Sequence, residues 1–169
     1  NPSDISVPKG LPPLPSMREY VLPPEGHVWL KRDFSAQEMR IMAHFAEGKL
    51  YEAYRKDPDV DPHKMVQGII KELLDLDIPR KHVKVTGFGI MYGMGIQKLA
   101  DGLNVDYAQG KLTKEAYFAA LPEVKVLAGA TKRRGSMGEA IVTWGGRRYF
   151  KEPHGDRDLS YKLLNYLVQ

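Results

Sequence analysis

Apolar residues recur every three or four positions through most of the chain, which predicts a largely helical protein. Met39, Met42, Ala43 and Ala46 define a first helix. Ser35 is placed to cap it, Glu38 three residues on completes a capping box, and Gly48 can end it. A second helix is predicted over residues 50–55, and the Asp- and Pro-rich stretch 57–62 reads as a turn. Met65, Ile69, Ile70, Leu73 and Leu74 form the apolar face of a third helix. A fourth follows Ile78-Pro79 and runs from Arg80 to about Met94, interrupted by Gly87 and Gly89. Helical spacing returns over 97–103. It returns again after Thr113, read as a cap, with Ala116, Phe118 and Leu121, and from Pro122 towards Arg133. Residues 158–169 read as the start of a last helix.

The strand signals are shorter. Residues 17–22 and 27–32 read as two strands, the second running into Asp33. Residues 141–144 and 147–150 flank Gly145-Gly146, the signal of a two-residue hairpin. Pro8, Pro12, Pro13 and Pro15 bar a helix from residues 1–16, which read as an extended loop.

Composition narrows the class. At 169 residues the chain fits one domain or one slice of a larger one. With 43% hydrophobic and 27% charged residues it is not a wholly disordered chain. It lacks a run of about 18 apolar residues, which excludes a helical membrane span. No charged-then-apolar leader is seen, so a cytoplasmic location is the expectation. Cysteine is absent, which excludes disulfide scaffolds, thiolate zinc sites and Cys nucleophiles. The net charge of +4 is modest but compatible with a polyanionic partner.

Candidate chemistry gathers at two places. Asp33 closes the second strand just before the first helix, where a carboxylate can hold a divalent metal or simply sit in a turn. Glu38 can cap its helix or face the same cleft, and Arg40 and His44 lie one turn apart on nearly the same face. On the fourth helix Arg80, Lys84, Phe88 and Tyr92 follow at intervals of four, forming one stripe with two cations at the N-terminal end and two rings beyond. Cations there oppose the helix dipole, which suggests an external anion such as a phosphate; a solvated turn followed by core rings is the plainer alternative. Lys132-Arg133-Arg134, Arg147-Arg148 and Lys151 can track a nucleic-acid backbone or be solvated surface.

These residues resemble a known family. Asp33-Phe34-Ser35-Ala36-Gln37-Glu38-Met39-Arg40, with His44 beyond, resembles motif A of family A DNA polymerases, the bacterial polymerase I and phage replicase group, whose form is DYSQxExR followed by AH. Arg80 through Lys84, Phe88-Gly89 and Tyr92-Gly93 resemble motif B, RxxxKxxxFGxxYG. The segment 12–24, Asp61-Pro62-His63, the 145–150 hairpin, and Asn165 with Gln169 (compare NxxxQG) resemble further family segments in the same order.

The resemblance implies two Mg²⁺ ions that promote in-line displacement of pyrophosphate. It implies Asp33 as a ligand to both, with the Phe34 carbonyl assisting at one. Glu38 would be a steric gate at the sugar C2′ position. Arg80 and Lys84 would bind the triphosphate of an incoming dNTP, with Lys84 the candidate proton donor. Phe88 would pack near the sugar 3′ position and Tyr92 under the templating pair. Arg40, His44, Arg147, Arg148, Asn165 and Gln169 would contact primer-template DNA or support the palm. Phe34, Ala36, Gln37, Gly87 and Tyr161 depart from the usual family residues and suggest a divergent, phage-encoded lineage.

The expected fold is α+β, a palm fragment with a small antiparallel sheet carrying Asp33 and a mostly helical fingers subdomain. Residues 1–48 would be partial palm, 49–139 fingers and 140–169 a hairpin returning to the palm. Motif C, HDE, is expected beyond Gln169, so the chain alone is expected to be inactive and to need the palm and thumb segment carrying that motif, in the same native protein or as a separate chain. Exposed sheet edges and self-association are expected without it. The alternatives are a non-catalytic nucleotide- or nucleic-acid-binding module derived from such a polymerase, a single-subunit RNA polymerase relative, which Glu38 argues against, and a basic DNA-binding protein with no nucleotide site.

Overall fold

The structure, a computed structural model, describes residues 20–169. They fall into two compact units, one ending at Ser35 and one spanning Ala36–Gln169.

The first unit contains no strand among its described residues. The His27 N–H donates to the Pro24 carbonyl at 3.0 Å across a turn in which Gly26 has φ +74°, and the Trp29 indole N–H donates to the Val21 carbonyl at 3.1 Å. The strand expected over 27–32 is therefore corrected to an irregular segment, with Val28 and Leu30 each 89% exposed. A short apolar run becomes a strand only where a neighbour supplies the ladder, and that pairing is not local. Residues 20–22 of the other expected strand are not in one either, and 17–19 lie outside the described residues.

The second unit is mostly helical. Its helices are α1 Gln37–Ala46, α2 Lys49–Lys56, α3 Pro62–Leu74, α4 Arg80–Met91, α5 Ile96–Leu103, α6 Tyr107–Ala120, α7 Pro122–Ser136 and α8 Leu163–Val168, the last preceded by a 3₁₀ turn Ser160–Lys162. Helix α6 packs against α3, α4, α5 and α7, and α1 against α2, α7 and α8. Met39, Met42, Leu50, Val66, Ile70, Val83, Met91, Tyr117, Leu121 and Val124 fill the core between them. Removing about ten such side chains from water is the main force holding the bundle. Among the described residues no helix is long and apolar enough to cross a membrane.

Several local expectations are corrected here. Helix α1 starts at Gln37 with Ala36 as its N-cap in the left-handed region (φ 48°), so Ser35 stands one residue before the N-cap position that the capping box assigned to it. Helix α6 starts earlier than Thr113: Asp106 caps it, accepting from the Gln109 N–H at 2.7 Å, and the Thr113 hydroxyl instead donates back to the Gln109 carbonyl at 2.8 Å. On α3, Ile70 is buried and Met65 and Ile69 pack against the core as their spacing predicts, with His63 and Val66 joining them, whereas Leu73 and Leu74 at its end are 53% and 43% exposed.

Helix α4 runs unbroken through Gly87 and Gly89 and ends at Tyr92. Gly93 follows with φ +67°, and the Met94 N–H reaches back to the Gly89 carbonyl at 2.7 Å, the glycine-dependent C-cap of such ends. The Tyr161 ring covers the Gly93 backbone; a Cβ there would lie 2.0 Å from Tyr161 Cδ2.

The small antiparallel sheet is the hairpin β1 Ile141–Val142 with β2 Arg148–Tyr149, in the register Ile141↔Tyr149 and Val142↔Arg148. It does not carry Asp33, as had been expected of it. Its loop is Trp144-Gly145-Gly146 rather than a two-residue turn. The Gly146 N–H donates to the Thr143 carbonyl and the Thr143 N–H to the Arg147 carbonyl, each at 2.9 Å, with Gly146 at φ +79°. A three-residue hairpin places its glycine in that way. Tyr149 stacks on Tyr166 of α8 at 5.2 Å between centroids, beside a small cluster of Ile141, Leu163 and Leu167.

Candidate functional site

Helix α4 buries one face and exposes another. Val83, Thr86, Gly87, Ile90 and Met91 face the core. The stripe Arg80, Lys84, Phe88 and Tyr92 faces outward: the two cations are exposed, Phe88 is half-buried and Tyr92 is 45% exposed. Lys84 Nζ lies 6.0 Å from the centroid of the Phe88 ring, within reach of a weak cation–π attraction.

Asp61 ties the start of this helix to the start of α3. Its Oδ1 accepts the N–H groups of His63 (3.0 Å) and Lys64 (3.1 Å), capping α3 with Pro62 at the first helical position. Its Oδ2 accepts from Arg80 Nε (2.9 Å) and Nη2 (2.6 Å). Partial burial alone would raise the Asp61 pKa; the Arg80 guanidinium and the two N–H groups outweigh it and hold the carboxyl below its ordinary value.

His63 sits behind the stripe. It is buried, its ring centroid is 6.1 Å from that of Phe88, and its Nδ1 has no hydrogen-bond partner among the described residues. Burial lowers its pKa; Asp61 opposes that, and Arg80 and Lys84 add to it. Sequence spacing missed this residue as a member of the site, because it comes from a different helix. The Asp-Pro at the start of α3 was the available signal.

At the far end of α4, Lys114 of α6 donates to the Met94 carbonyl at 2.8 Å, and burial lowers its pKa. Periodicity gave no hint of this contact either.

The other expected site residues are spread out. Asp33 and Phe34 belong to the first unit. Asp33 is exposed, its Oδ1 accepting the Phe34 N–H at 2.9 Å, and the Phe34 ring is 78% exposed. Glu38 is half-buried in the first turn of α1. Arg40 donates to the Pro58 carbonyl at 2.6 Å and lies over the Tyr54 ring at 4.7 Å, bracing α1 against the turn after α2. His44 is exposed, edge-on to Phe45, and with Arg40, Tyr51 and Arg55 lines a shallow cavity of about 180 Å³. Arg147 and Arg148 are exposed on the hairpin. Asn165 of α8 accepts the Gln169 N–H on its backbone carbonyl at 3.1 Å, and its Nδ2 is buried without a partner among the described residues.

A hard divalent cation takes about six oxygen ligands. Asp33 and the Phe34 carbonyl fit as part of such a set. Among the described residues no three His, Asp or Glu side chains converge to complete one.

Comparison with known proteins agrees with this fold. Residues 6–163 match the model of DNA polymerase family A, and the chain belongs to that family. It is 33% identical over 126 residues to DNA polymerase I of Helicobacter pylori strain 26695, covering 74% of this chain and 13% of that protein. It is 27% identical over 153 residues to the thermostable DNA polymerase I of Thermus filiformis, covering 89% of this chain and 18% of that one. The chain thus spans less than a fifth of the length of these relatives. Among solved structures, the POL domain of Pol1 from M. smegmatis, in complex with DNA primer-template and dNTP, matches with a TM-score of 0.64 at 25% identity, over 80% of this chain and 25% of that one.

Proposed function

We propose that this chain is the part of a template-directed DNA polymerase that receives the incoming dNTP on α4 and supplies one metal-binding carboxylate, Asp33, to nucleotidyl transfer. The observation that carries the reading is the α4 stripe: two exposed cations one turn apart, followed by the Phe88 ring, half-buried at the edge of the core, and the exposed Tyr92 ring. Triphosphate oxygens fit the cations and a nucleoside fits the rings. In this reading residues 1–48 are partial palm, 49–139 fingers and 140–169 the return to the palm.

Two Mg²⁺ ions, when bound, would activate the primer 3′-hydroxyl and hold the triphosphate. Asp33 and the Phe34 carbonyl would hold part of that site, and further carboxylates would come from the palm segment carrying motif C, in the same native protein or on a separate chain. The chain's own residues bind and orient. Arg80 and Lys84 grip phosphate oxygens, and Lys84 can give a proton to the departing pyrophosphate. Phe88 and Tyr92 flank the nucleoside, and Glu38 excludes a 2′-hydroxyl. Primer-template DNA would meet Arg147, Arg148, Asn165 and Gln169, with Arg40 and His44 in support.

Two measurements test this. Titrating a fluorescent dNTP into the 169-residue chain should show binding that Lys84→Ala weakens; equal affinity in parent and variant overturns the reading. Single-nucleotide extension of a labelled primer-template should fail with this chain alone and succeed with the full-length protein, where Asp33→Ala should abolish it; undiminished extension by that variant overturns the role of Asp33.

A further inference from the structure

We propose that the tip of the β1–β2 hairpin is a stacking platform for an unpaired base of single-stranded DNA, with Trp144 as the ring and Arg147 and Arg148 as phosphate contacts. The inference rests on the chain's acting on DNA, but not on the nucleotide stripe of α4.

Trp144 is 72% exposed at the tip of a hairpin whose backbone is well fixed. Beside the two 2.9 Å backbone bonds, the Arg147 N–H donates to the Thr143 hydroxyl at 3.2 Å. A rigid turn thus holds the largest apolar side chain in water. Among the described residues no ring or cation stacks on it and its indole N–H has no partner. Next to it, a Cβ on Gly145 or Gly146 would meet nothing within 4 Å, so the approach to the ring is open.

Within the hairpin segment the charge has one sign, and Lys151 at its end pairs with Asp158 at 3.7 Å. Residues 140–151 hold Arg147, Arg148 and Lys151 and no acid. Arg147 and Arg148 are exposed and unpaired among the described residues. The acids that flank the segment are already engaged: Glu139 by Arg134 at 3.1 Å, and Glu152 by Lys162 at 2.8 Å and by the Tyr166 hydroxyl. Helix α7 packs on β1 and carries the exposed Lys132 and Arg133 in its last two turns.

An exposed indole on the same hairpin as two unpaired guanidinium groups is what single-stranded nucleic acid recognises: the ring takes a base face, the cations take the backbone. A duplex would use only the cations, because its bases are stacked on each other.

The test uses the 169-residue chain with Trp29→Phe, which leaves Trp144 as the only indole. A twelve-nucleotide oligo(dT) should quench its fluorescence, and a blunt duplex of equal phosphate count should not. Trp144→Ala should weaken oligo(dT) binding about 5- to 150-fold, the range expected for one lost stacking contact. Trp144→Phe should recover most of that, which separates stacking from a folding defect. Arg147→Gln should reduce the salt slope by about 0.7, whereas Trp144→Ala should leave it unchanged. Equal affinity in Trp144→Ala, equal quenching by duplex, or quenching that follows protein concentration without DNA (a second copy covering the ring) would each overturn the proposal. The dNTP titration is read separately: Lys84→Ala should leave the oligo(dT) quench intact, so the two readings fail independently.

Discussion

The Tyr117 hydroxyl occupies the space in which a side chain at position 87 would begin. A Cβ on Gly87 would lie 2.8 Å from Tyr117 Oη and 3.2 Å from its Cε2 and Cζ. Tyr117 is 1% exposed in the core and cannot swing into water. Gly87→Ala should therefore destabilise the protein by about 1–3 kcal/mol, as overpacking does, despite a helix-propensity gain of about 1 kcal/mol. Tyr117→Phe in the same background should recover part of the loss. Urea midpoints of the three variants decide it; an unchanged midpoint for Gly87→Ala means that the contact yields freely.

Asp61→Ala removes a helix cap and the partner of Arg80 together. The cap is worth about 1 kcal/mol and a largely exposed pair about 0–1 kcal/mol. A total loss of about 1–2 kcal/mol is expected by denaturant melting, with Arg80→Ala losing only the smaller part. Because the Asp61 pKa is lowered by folding, its contribution is present above the unfolded carboxyl value near 4 and disappears as pH falls through the native value. A melt series from pH 5 to pH 2 should be flatter in the Asp61→Ala variant than in the parent.

His63 titrates in a different window. Burial lowers its pKa, so below the unfolded value of about 6.5 the unfolded chain takes up a proton that the native protein resists. Stability should fall as pH drops from about 7 towards 5, and His63→Gln should remove much of that slope. Thermal midpoints at pH 7.5 and 5.0 for the two proteins suffice; parallel slopes would show that His63 is not the group responsible.

Two substitutions in the full-length polymerase read out the nucleotide site. Glu38→Ala should raise the ratio of NTP to dNTP incorporation, since the side chain is proposed to bar the 2′-hydroxyl. Phe88→Tyr should reduce discrimination against dideoxynucleotides. Single-nucleotide primer extension gives both ratios, and a ratio equal to the parent's would remove the role proposed for that residue.

The helices were legible because their information is local. Apolar spacing placed the helices of the second unit, and Asp61-Pro62 marked the start of α3 within the predicted turn. The errors came where a local signal had a competitor. Ser35 and Glu38 have the letters of a capping box, but Ala36, in the left-handed region, takes the N-cap position instead of Ser35. Thr113 reads as a cap until Asp106, seven residues earlier, is seen to hold the helix start. Residues 27–32 hold the apolar run Val28-Trp29-Leu30 that reads as a strand, yet nothing in the local sequence states whether a partner strand exists. The α4 stripe was visible as spacing, whereas its link to Asp61 and the ring of His63 behind it were not, because both are contacts between helices 19 or more residues apart.

The seat of Tyr161 on Gly93 couples two distant positions of this chain. The glycine that ends α4 and the ring that covers it are 68 positions apart and in contact. A side chain at 93 would have to enter space the ring fills, so a change at 93 is open only after position 161 has become smaller, whereas position 161 can change first while glycine stands at 93.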